Sequence, residues 1–255
     1  MRLACITGAS SGIGEEFAYQ LAEKHYDLIL VARSAEKLEE IAGILRKRFH
    51  VFCEVIPCDL SRQEECLRLL DILKKRNLYL LINNAGFGDI GPFQETSREI
   101  DLKMIDVNIR ALHLLTKGVL QRFLKRNRGY ILNVASVAGL LDGGPLMATY
   151  YATKSYVVSL TSSIAGELRK SGSHVHVSAL CPGPVDTNFN EVAGVSFSLK
   201  GLSANACVSY CLKQMNRGRL IIIPGVMPRL GAFCARLVPM GVVLDATARA
   251  QASKL

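Results

Sequence analysis

Tyr150-Tyr151-Ala152-Thr153-Lys154 sets a phenol and an ammonium four positions apart in a helix-compatible run. On a helix the two side chains share one face. An ammonium beside a phenol favours the phenolate, so Lys154 is expected to lower the Tyr150 pKa from ~10 toward the range where proton transfer is efficient at neutral pH. A shift of ~3 units needs about 4 kcal/mol of differential stabilisation, which one partly desolvated cation can supply. Tyr151, three residues before Lys154, could face the lysine as well. Taken alone, the pair is equally a surface tyrosine and lysine meeting by chance, so its neighbours have to decide.

A second cluster stands at the start of the chain. Thr7-Gly8-Ala9-Ser10-Ser11-Gly12-Ile13-Gly14 follows a short apolar run and opens a helical pattern. Small residues there let the backbone turn tightly and approach a pyrophosphate, whose charge meets the helix N-terminus. In this strand-loop-helix context Gly8, Ser10, Ser11, Gly12, Ile13 and Gly14 are expected to bind a dinucleotide. About 20 residues further on, an acidic residue would hold a ribose 2′-hydroxyl; the chain has Val31-Ala32-Arg33-Ser34 instead. A carboxylate would repel a 2′-phosphate, whereas Arg33 can bind one by charge-assisted hydrogen bonds. NADP(H) is therefore the expected cofactor, the plainer account being a solvated loop cation.

These residues need a scaffold. Short apolar, often β-branched runs at Leu3–Thr7, Asp27–Ala32, Val51–Pro57, Leu78–Asn83, Gly129–Ser136, His174–Cys181 and Arg219–Ile223 alternate with amphipathic helical windows such as Gly14–His25. This is the pattern of parallel strands covered on both faces. It predicts an α/β, doubly wound, Rossmann-like parallel sheet of about seven strands with helices on both faces. No composition break divides the 255 residues, so one domain over 1–255 is expected, with 224–255 as a C-terminal tail.

At this point the chain resembles the short-chain dehydrogenase/reductase family over essentially its whole length. The resemblance rests on the glycine loop, Asp59-Leu60, Asn83-Asn84-Ala85-Gly86, Asn108 in Val107-Asn108-Ile109, Ser136, Tyr150 with Lys154, and Pro182-Gly183-Pro184-Val185-Asp186-Thr187, in that order. It implies that Tyr150 donates and accepts the proton and that Lys154 lowers its pKa and holds the nicotinamide ribose. Ser136 would steady the substrate oxygen and Asn108 would anchor a water relay to Lys154. It further implies cofactor contacts from Asp59 and Leu60, from Asn84, Ala85 and Gly86, and from Pro182, Gly183, Val185 and Thr187. The family spacing selects Tyr150 over Tyr151. Hydride reduction of a ketone builds negative charge on oxygen, which calls for positioned hydrogen-bond donors and one proton; Ser136 and Tyr150 are of the right types.

Substrate signals are thinner. Phe87–Phe93, Gly139–Thr149 and Asn188–Lys200 are expected to shape the pocket, the last as a lid, and Leu140, Leu141, Leu146, Met147, Phe189, Val195 and Phe197 suggest an apolar ligand. The expected reaction is reduction of a ketone on a lipophilic molecule, reversible as an alcohol oxidation. A 3-oxoacyl-carrier reductase and an NADPH-sensing regulatory protein without turnover are the rivals. In the tail, Leu230, Phe233, Cys234, Leu237 and Val238 recur at helical spacing. Core or subunit packing explains that stripe, as would a monotopic membrane contact or a substrate cover.

Composition excludes several other classes. Hydrophobic residues make up 49% and charged residues 21%, which suits a large core rather than disorder. No apolar run reaches the ~18 residues of a transmembrane helix. Eight cysteines without a Cys-x2-Cys pair read as reduced thiols of a cytoplasmic protein, and no metal site is expected from them or from His174 and His176. The net charge of +9 gathers at Arg46-Lys47-Arg48, Lys74-Lys75-Arg76 and Lys125-Arg126-Asn127-Arg128, each where a helical pattern ends. No nucleic-acid motif accompanies it. The expected partners are a small carbonyl or alcohol substrate and further copies of the chain, as a homodimer or homotetramer. Ser253-Lys254-Leu255 matches a peroxisomal address where peroxisomes exist.

Overall fold

The structure, a computed structural model, describes residues 2–186 and 201–252. Thr187, the expected lid with Phe189, Val195 and Phe197, and Ser253-Lys254-Leu255 lie outside the described residues. The strands are β1 (Arg2–Thr7), β2 (Tyr26–Ala32), β3 (Cys53–Pro57), β4 (Leu78–Asn83), β5 (Gly129–Val134), β6 (Val175–Leu180), β7 (Val185–Asp186), β8 (Leu202–Ser203) and β9 (Ile221–Ile222). Seven of them form one parallel sheet in the order β3-β2-β1-β4-β5-β6-β9, while β7 and β8 pair only with each other. The helices are α1 (Gly12–Glu23), α2 (Ala35–Phe49), α3 (Gln63–Lys74), α4 (Arg98–Ile105), α5 (Leu112–Lys125), α6 (Ala148–Lys170), α7 (Ala204–Met215), α8 (Val226–Cys234) and α9 (Met240–Ala252). A π-turn over Asp106–Ala111 joins α4 to α5, and a 3-10 turn over Val137–Leu140 follows β5.

Strand periodicity splits the core into two layers. Leu28 and Leu30 face Phe17, Leu21, Leu38 and Leu45, while Ile29 and Val31 face Leu69, Leu73, Leu115 and Phe123. Successive side chains of a strand point to opposite faces, so a strand between two helical layers must be apolar throughout. All six residues of β5 are buried. The chain leaves β1 in both directions, with β2 on one side and β4 on the other. The loops after β1 and β4 consequently diverge at the carboxyl edge of the sheet, where a crevice opens.

All seven expected strands are present; β1 and β2 begin one residue earlier than expected, β4 matches, and β3, β5, β6 and β9 are shorter. β3 begins at Cys53 rather than Val51, and β5 stops at Val134 because Ala135 and Ser136 leave the sheet for the 3-10 turn. α1 starts at Gly12, two residues before the expected Gly14. The cationic clusters terminate α2, α3 and α5; Arg122 donates to the Leu73 carbonyl, Arg126 to the Leu78 carbonyl, and Arg76 pairs with Glu54 at 2.7 Å. Their charge therefore serves helix ends and inter-element capping. A buried polar ladder ties the sheet to α5 and α6. Asn83 Nδ2 donates to Asn133 Oδ1 (2.9 Å) and Thr116 Oγ1 (3.0 Å), and Asn133 Nδ2 donates to Thr161 Oγ1 (3.0 Å).

Candidate active site

The glycine loop is fastened from across the crevice. Thr7 Oγ1 accepts hydrogen bonds from the amides of Asn84 and Ala85, both at 3.0 Å. Asn84 Nδ2 donates to the carbonyls of Thr7 (3.0 Å) and Gly8 (3.1 Å). Gly8 and Gly12 adopt φ of 65° and 58°, which favour glycine. A Cβ on Gly14 would lie 2.1 Å from the Gly8 carbonyl oxygen, so no larger residue fits there. Ser34, Ser97 and Ser203 each cap their helix with the side chain, but Ser11 does not cap α1. The first amides of α1 thus keep their donors for an anion, the arrangement a dinucleotide pyrophosphate requires.

Arg33, just past β2, is exposed. Its charge reaches Asp59: burial alone would raise that carboxyl, yet hydrogen bonds from Ser61 and the cations of Lys103 and Arg33 hold it below its ordinary range. Asp59 Oδ1 accepts from the Ser61 amide (3.0 Å) and hydroxyl (2.8 Å), so this residue also shapes the turn into α3. Leu60 is buried in the core beside α3. Ser10, Ser11 and Ile13 remain at least partly open at the crevice.

On the opposite rim, α6 carries Tyr150 and Lys154. Tyr150 is buried and hydrogen-bonded to Ser136, which stands at the end of the β5 segment and accepts the Ala138 amide at 3.2 Å. Lys154 is 4% exposed; its Nζ lies 5.8 Å from the Tyr150 ring centroid and donates to the Val134 carbonyl at 3.0 Å. Tyr151 turns elsewhere: its hydroxyl accepts a 2.6 Å hydrogen bond from Gln251 Nε2 of α9. Asn108 sits in the π-turn, 1% exposed. Its amide group exchanges hydrogen bonds with the backbone of Phe87 (3.1 and 2.9 Å) and donates to Thr153 Oγ1 (3.1 Å), which in turn donates to the Tyr150 carbonyl. A Cβ on Gly86 would come within 2.9 Å of Asn108 Oδ1 and 3.2 Å of Lys154 Nζ. Gly86, Asn108 and Lys154 therefore meet at one point.

The expected direction of the tyrosine shift is corrected. Burial pushes the Tyr150 phenol up to about 12, against a smaller lowering by Ser136, and pushes the Lys154 ammonium down to about 8. Both side chains are buried, and desolvation, which favours the neutral forms, is the largest cause of each shift. Lys154 directs its proton to a backbone carbonyl rather than to the phenol.

Pro182 and Gly183 close the site from the β6 side. The Pro182 carbonyl accepts the Val137 amide at 2.9 Å, and Gly183 lies against Pro228 of α8. Val185 is buried in β7. Around Tyr150 gather Met104, Ala138 and Met147, with Phe87, Ile90 and Leu141 packed on them. Leu140, expected in the pocket, packs instead with Leu112, Ala135 and Val157 beneath the 3-10 turn. A cavity of about 420 Å³ between residues 142–145 and Leu244 adjoins Tyr151 rather than Tyr150. Thr7, Thr153, the Val134 carbonyl and Gln251 were not expected as site residues. Thr7 and Thr153 lie inside motifs read from the sequence, but their roles depend on distant partners, 77 residues on for Thr7 and 45 back for Thr153, as that of Gln251 depends on Tyr151, 100 back.

The short chain dehydrogenase family profile matches residues 2–194. A very-long-chain 3-oxoacyl-CoA reductase from Coccidioides immitis (strain RS) is 35% identical over 179 residues, covering 68% of this chain and 51% of that protein. A short-chain dehydrogenase from Sphingobium yanoikuyae, solved in complex with NADPH, superposes with a TM-score of 0.85 at 32% identity, covering 93% of this chain and 94% of that one. A short chain dehydrogenase/reductase from Burkholderia phymatum, solved in complex with NAD, gives a TM-score of 0.81 at 27% identity, covering 92% and 94%. The chain spans about half the length of the first of these relatives. Profile, fold and ordered motifs agree, and the chain belongs to the short-chain dehydrogenase/reductase family.

Proposed function

We propose that the protein is an NADP(H)-dependent oxidoreductase that interconverts a carbonyl and a secondary alcohol on a lipophilic substrate, with Tyr150 as general acid and base. The observation that carries this reading is Tyr150, buried, hydrogen-bonded to Ser136 and bordered by Phe87, Ile90, Leu141 and Met147. Gly8, Ser10, Ser11, Gly12, Ile13 and Gly14 would cradle the pyrophosphate, and Arg33 the 2′-phosphate. Asp59 and Leu60 would lie along the adenine, and Asn84 to Gly86 with Pro182, Gly183, Val185 and Thr187 along the rest of the cofactor. The bound nicotinamide would supply or accept hydride.

In the reducing direction the substrate oxygen lies between Ser136 and Tyr150. Both hydroxyls donate to it as charge develops, and the Tyr150 proton passes to it completely. Lys154 then stabilises the phenolate left behind, and Asn108 anchors the water relay that reprotonates it. Oxidation runs the same steps backwards. The neutral phenol suits the reducing direction, since the acid form is in place at pH 7.

A 3-oxoacyl thioester is the second reading, favoured by the name of the Coccidioides relative. A sensor that binds NADPH without turnover would have no use for a phenol enclosed beside Ser136. NADPH oxidation over a panel of bulky ketones, steroids and 3-oxoacyl thioesters separates the three. Turnover with one class identifies the substrate, whereas tight NADPH binding with no turnover would leave the sensor. The cofactor is tested by kcat/KM for NADPH and NADH, in the parent and in Arg33→Ala: loss of NADPH preference is expected, and a strong NADH preference of the parent would overturn the assignment. Seven of the eight thiols are buried and none is paired, which fits the reducing cytoplasm read from the sequence. Exposed Ile100, Leu102, Ile105 and Leu124 on and beside α4 and α5 support assembly as a homodimer or homotetramer.

A further inference from the structure

Half of the large apolar side chains exposed among the described residues fall within residues 226–242. On α8 the division between faces is sharp. Pro228 and Ala232 face inward, Pro228 against Gly183. On its outer side Val226 (74% exposed), Leu230 and Phe233 form an apolar stripe that Leu237 (70%) extends past the end of α8, with Met227 and, at the start of α9, Met240 also exposed. Of the accounts open for this stripe, packing into the core of the chain is not the one realised. A soluble surface rarely leaves so many large apolar groups together without a partner.

Cations accompany the stripe: in the chain Arg229 falls between Val226 and Phe233, Arg236 precedes Leu237, and Arg249 lies on α9, against Asp245 as the one acid in residues 224–252. Arg229 also stacks over Tyr210, its guanidinium 5.4 Å from the ring centroid. With Arg217, Arg219, Tyr210 and Gln214 it lines a cavity of about 350 Å³ along the free edge of β9, with no acidic side chain in its wall. None of Arg217, Arg219, Arg229 and Arg236 forms an ion pair among the described residues.

We infer that this face docks on an anionic phospholipid surface, with the stripe of α8 in the acyl boundary and the four arginines on headgroup phosphates. Charge selects this occupant over a second copy of the chain. A two-fold contact would bury the same basic patch on both copies, with only Asp245 among residues 224–252 of each to offset it. A bilayer offers an apolar layer beneath a plane of phosphodiesters, matching both halves of the surface. Guanidinium groups suit phosphate by forked hydrogen bonds. The contact is confined to one leaflet side, because no helix among the described residues is long and apolar enough to cross a membrane. Docking would hold Pro228, and with it the Pro182-Gly183 loop, at the lipid surface from which an apolar substrate could enter.

Vesicle flotation with the full chain tests the proposal. The protein is expected to float with vesicles of phosphatidylcholine and phosphatidylserine, and less so in high salt. Arg229→Ala and Arg236→Ala should each weaken binding about five-fold, and the double variant Phe233→Glu, Leu237→Glu at least about ten-fold. NADPH affinity and circular dichroism identical to the parent show that these variants fold. Failure of the parent to float with the anionic vesicles overturns the inference, as does undiminished flotation of the glutamate variant. Light scattering in which that variant turns a dimer into a monomer, with no vesicle binding by the parent, assigns the face to a second copy instead.

Discussion

On the β1 side of the crevice the contacts end on the backbone. Thr7 and Asn84 lock the glycine loop through amides and carbonyls, and Gly14 approaches Gly8 too closely to admit a side chain. On the α6 side the work falls to side chains: Ser136 with Tyr150, Asn108 with Thr153, Gln251 with Tyr151, and a lining of Met, Leu and Phe. Backbone geometry tolerates few residues at each position, whereas side-chain packing accepts many of similar volume. A cofactor shared by many relatives can be met by the first kind of construction. A substrate that differs between relatives requires the second.

Substitutions on the two rims should accordingly fail in different ways. The largest effect is expected for Tyr150→Phe, which removes the proton donor while keeping the ring: NADPH-linked turnover should fall by about 10³-fold or more, with NADPH affinity by fluorescence titration nearly unchanged. An active Tyr150→Phe protein would refute the assignment. Gly14→Ala, on the other rim, should cost at least about 3 kcal/mol and lower Tm, since the clash is with backbone that has no rotamer to yield. Gly43→Ala is its control, because a Cβ there meets nothing within 4 Å; it should raise stability by about 0.5–1 kcal/mol. If both alanines behave alike, the backbone account of the cofactor rim is wrong.

Lys154→Met separates catalysis from stability on the α6 rim. The folded value of about 8 lies below the ordinary 10.5, so the unfolded chain binds more protons between those limits and stability rises as pH climbs from about 8 to 10.5. Below pH 8 the buried ammonium opposes folding by about 3 kcal/mol. Turnover in Lys154→Met should drop at least about 10²-fold, while Tm at pH 7 holds or rises and the rise above pH 8 disappears. A marked fall in Tm would show that Lys154 supports the fold. In the parent, kcat/KM should decline above pH 8 as Lys154 loses its charge. Tyr151→Phe is expected to be the mildest, costing about 1 kcal/mol for the lost Gln251 bond and leaving turnover within about three-fold.

The two rims also differed in how far they could be read from residues alone. The loop from Gly8 to Gly14 and the unit Asn84 to Gly86 are local motifs, and the strands announced themselves because a parallel strand buried on both faces must be a short apolar run. Strand ends were less visible, as at β5, where Ala135 and Ser136 continue the apolar pattern but turn away. The π-turn around Asn108 and the two-residue pairing of β7 with β8 carry no periodic signal. Nor could spacing foresee that the tail's apolar stripe would stay outside, since periodicity reports that a face exists and not what covers it.

By itself the sequence determined the order of strands and helices, the glycine loop, and the presence of Ser136, Tyr150, Lys154 and Asn108 at matching intervals. Periodicity and small-residue motifs are properties of neighbours in the chain. The family spacing had already selected Tyr150 over Tyr151; only the tertiary structure showed where each goes, because that depends on how α6 is rotated against β5 and α9. It also decided that burial holds the Tyr150 phenol up rather than down. A charge four residues away favours the phenolate, but the burial that opposes it is set by every element packed around the pair.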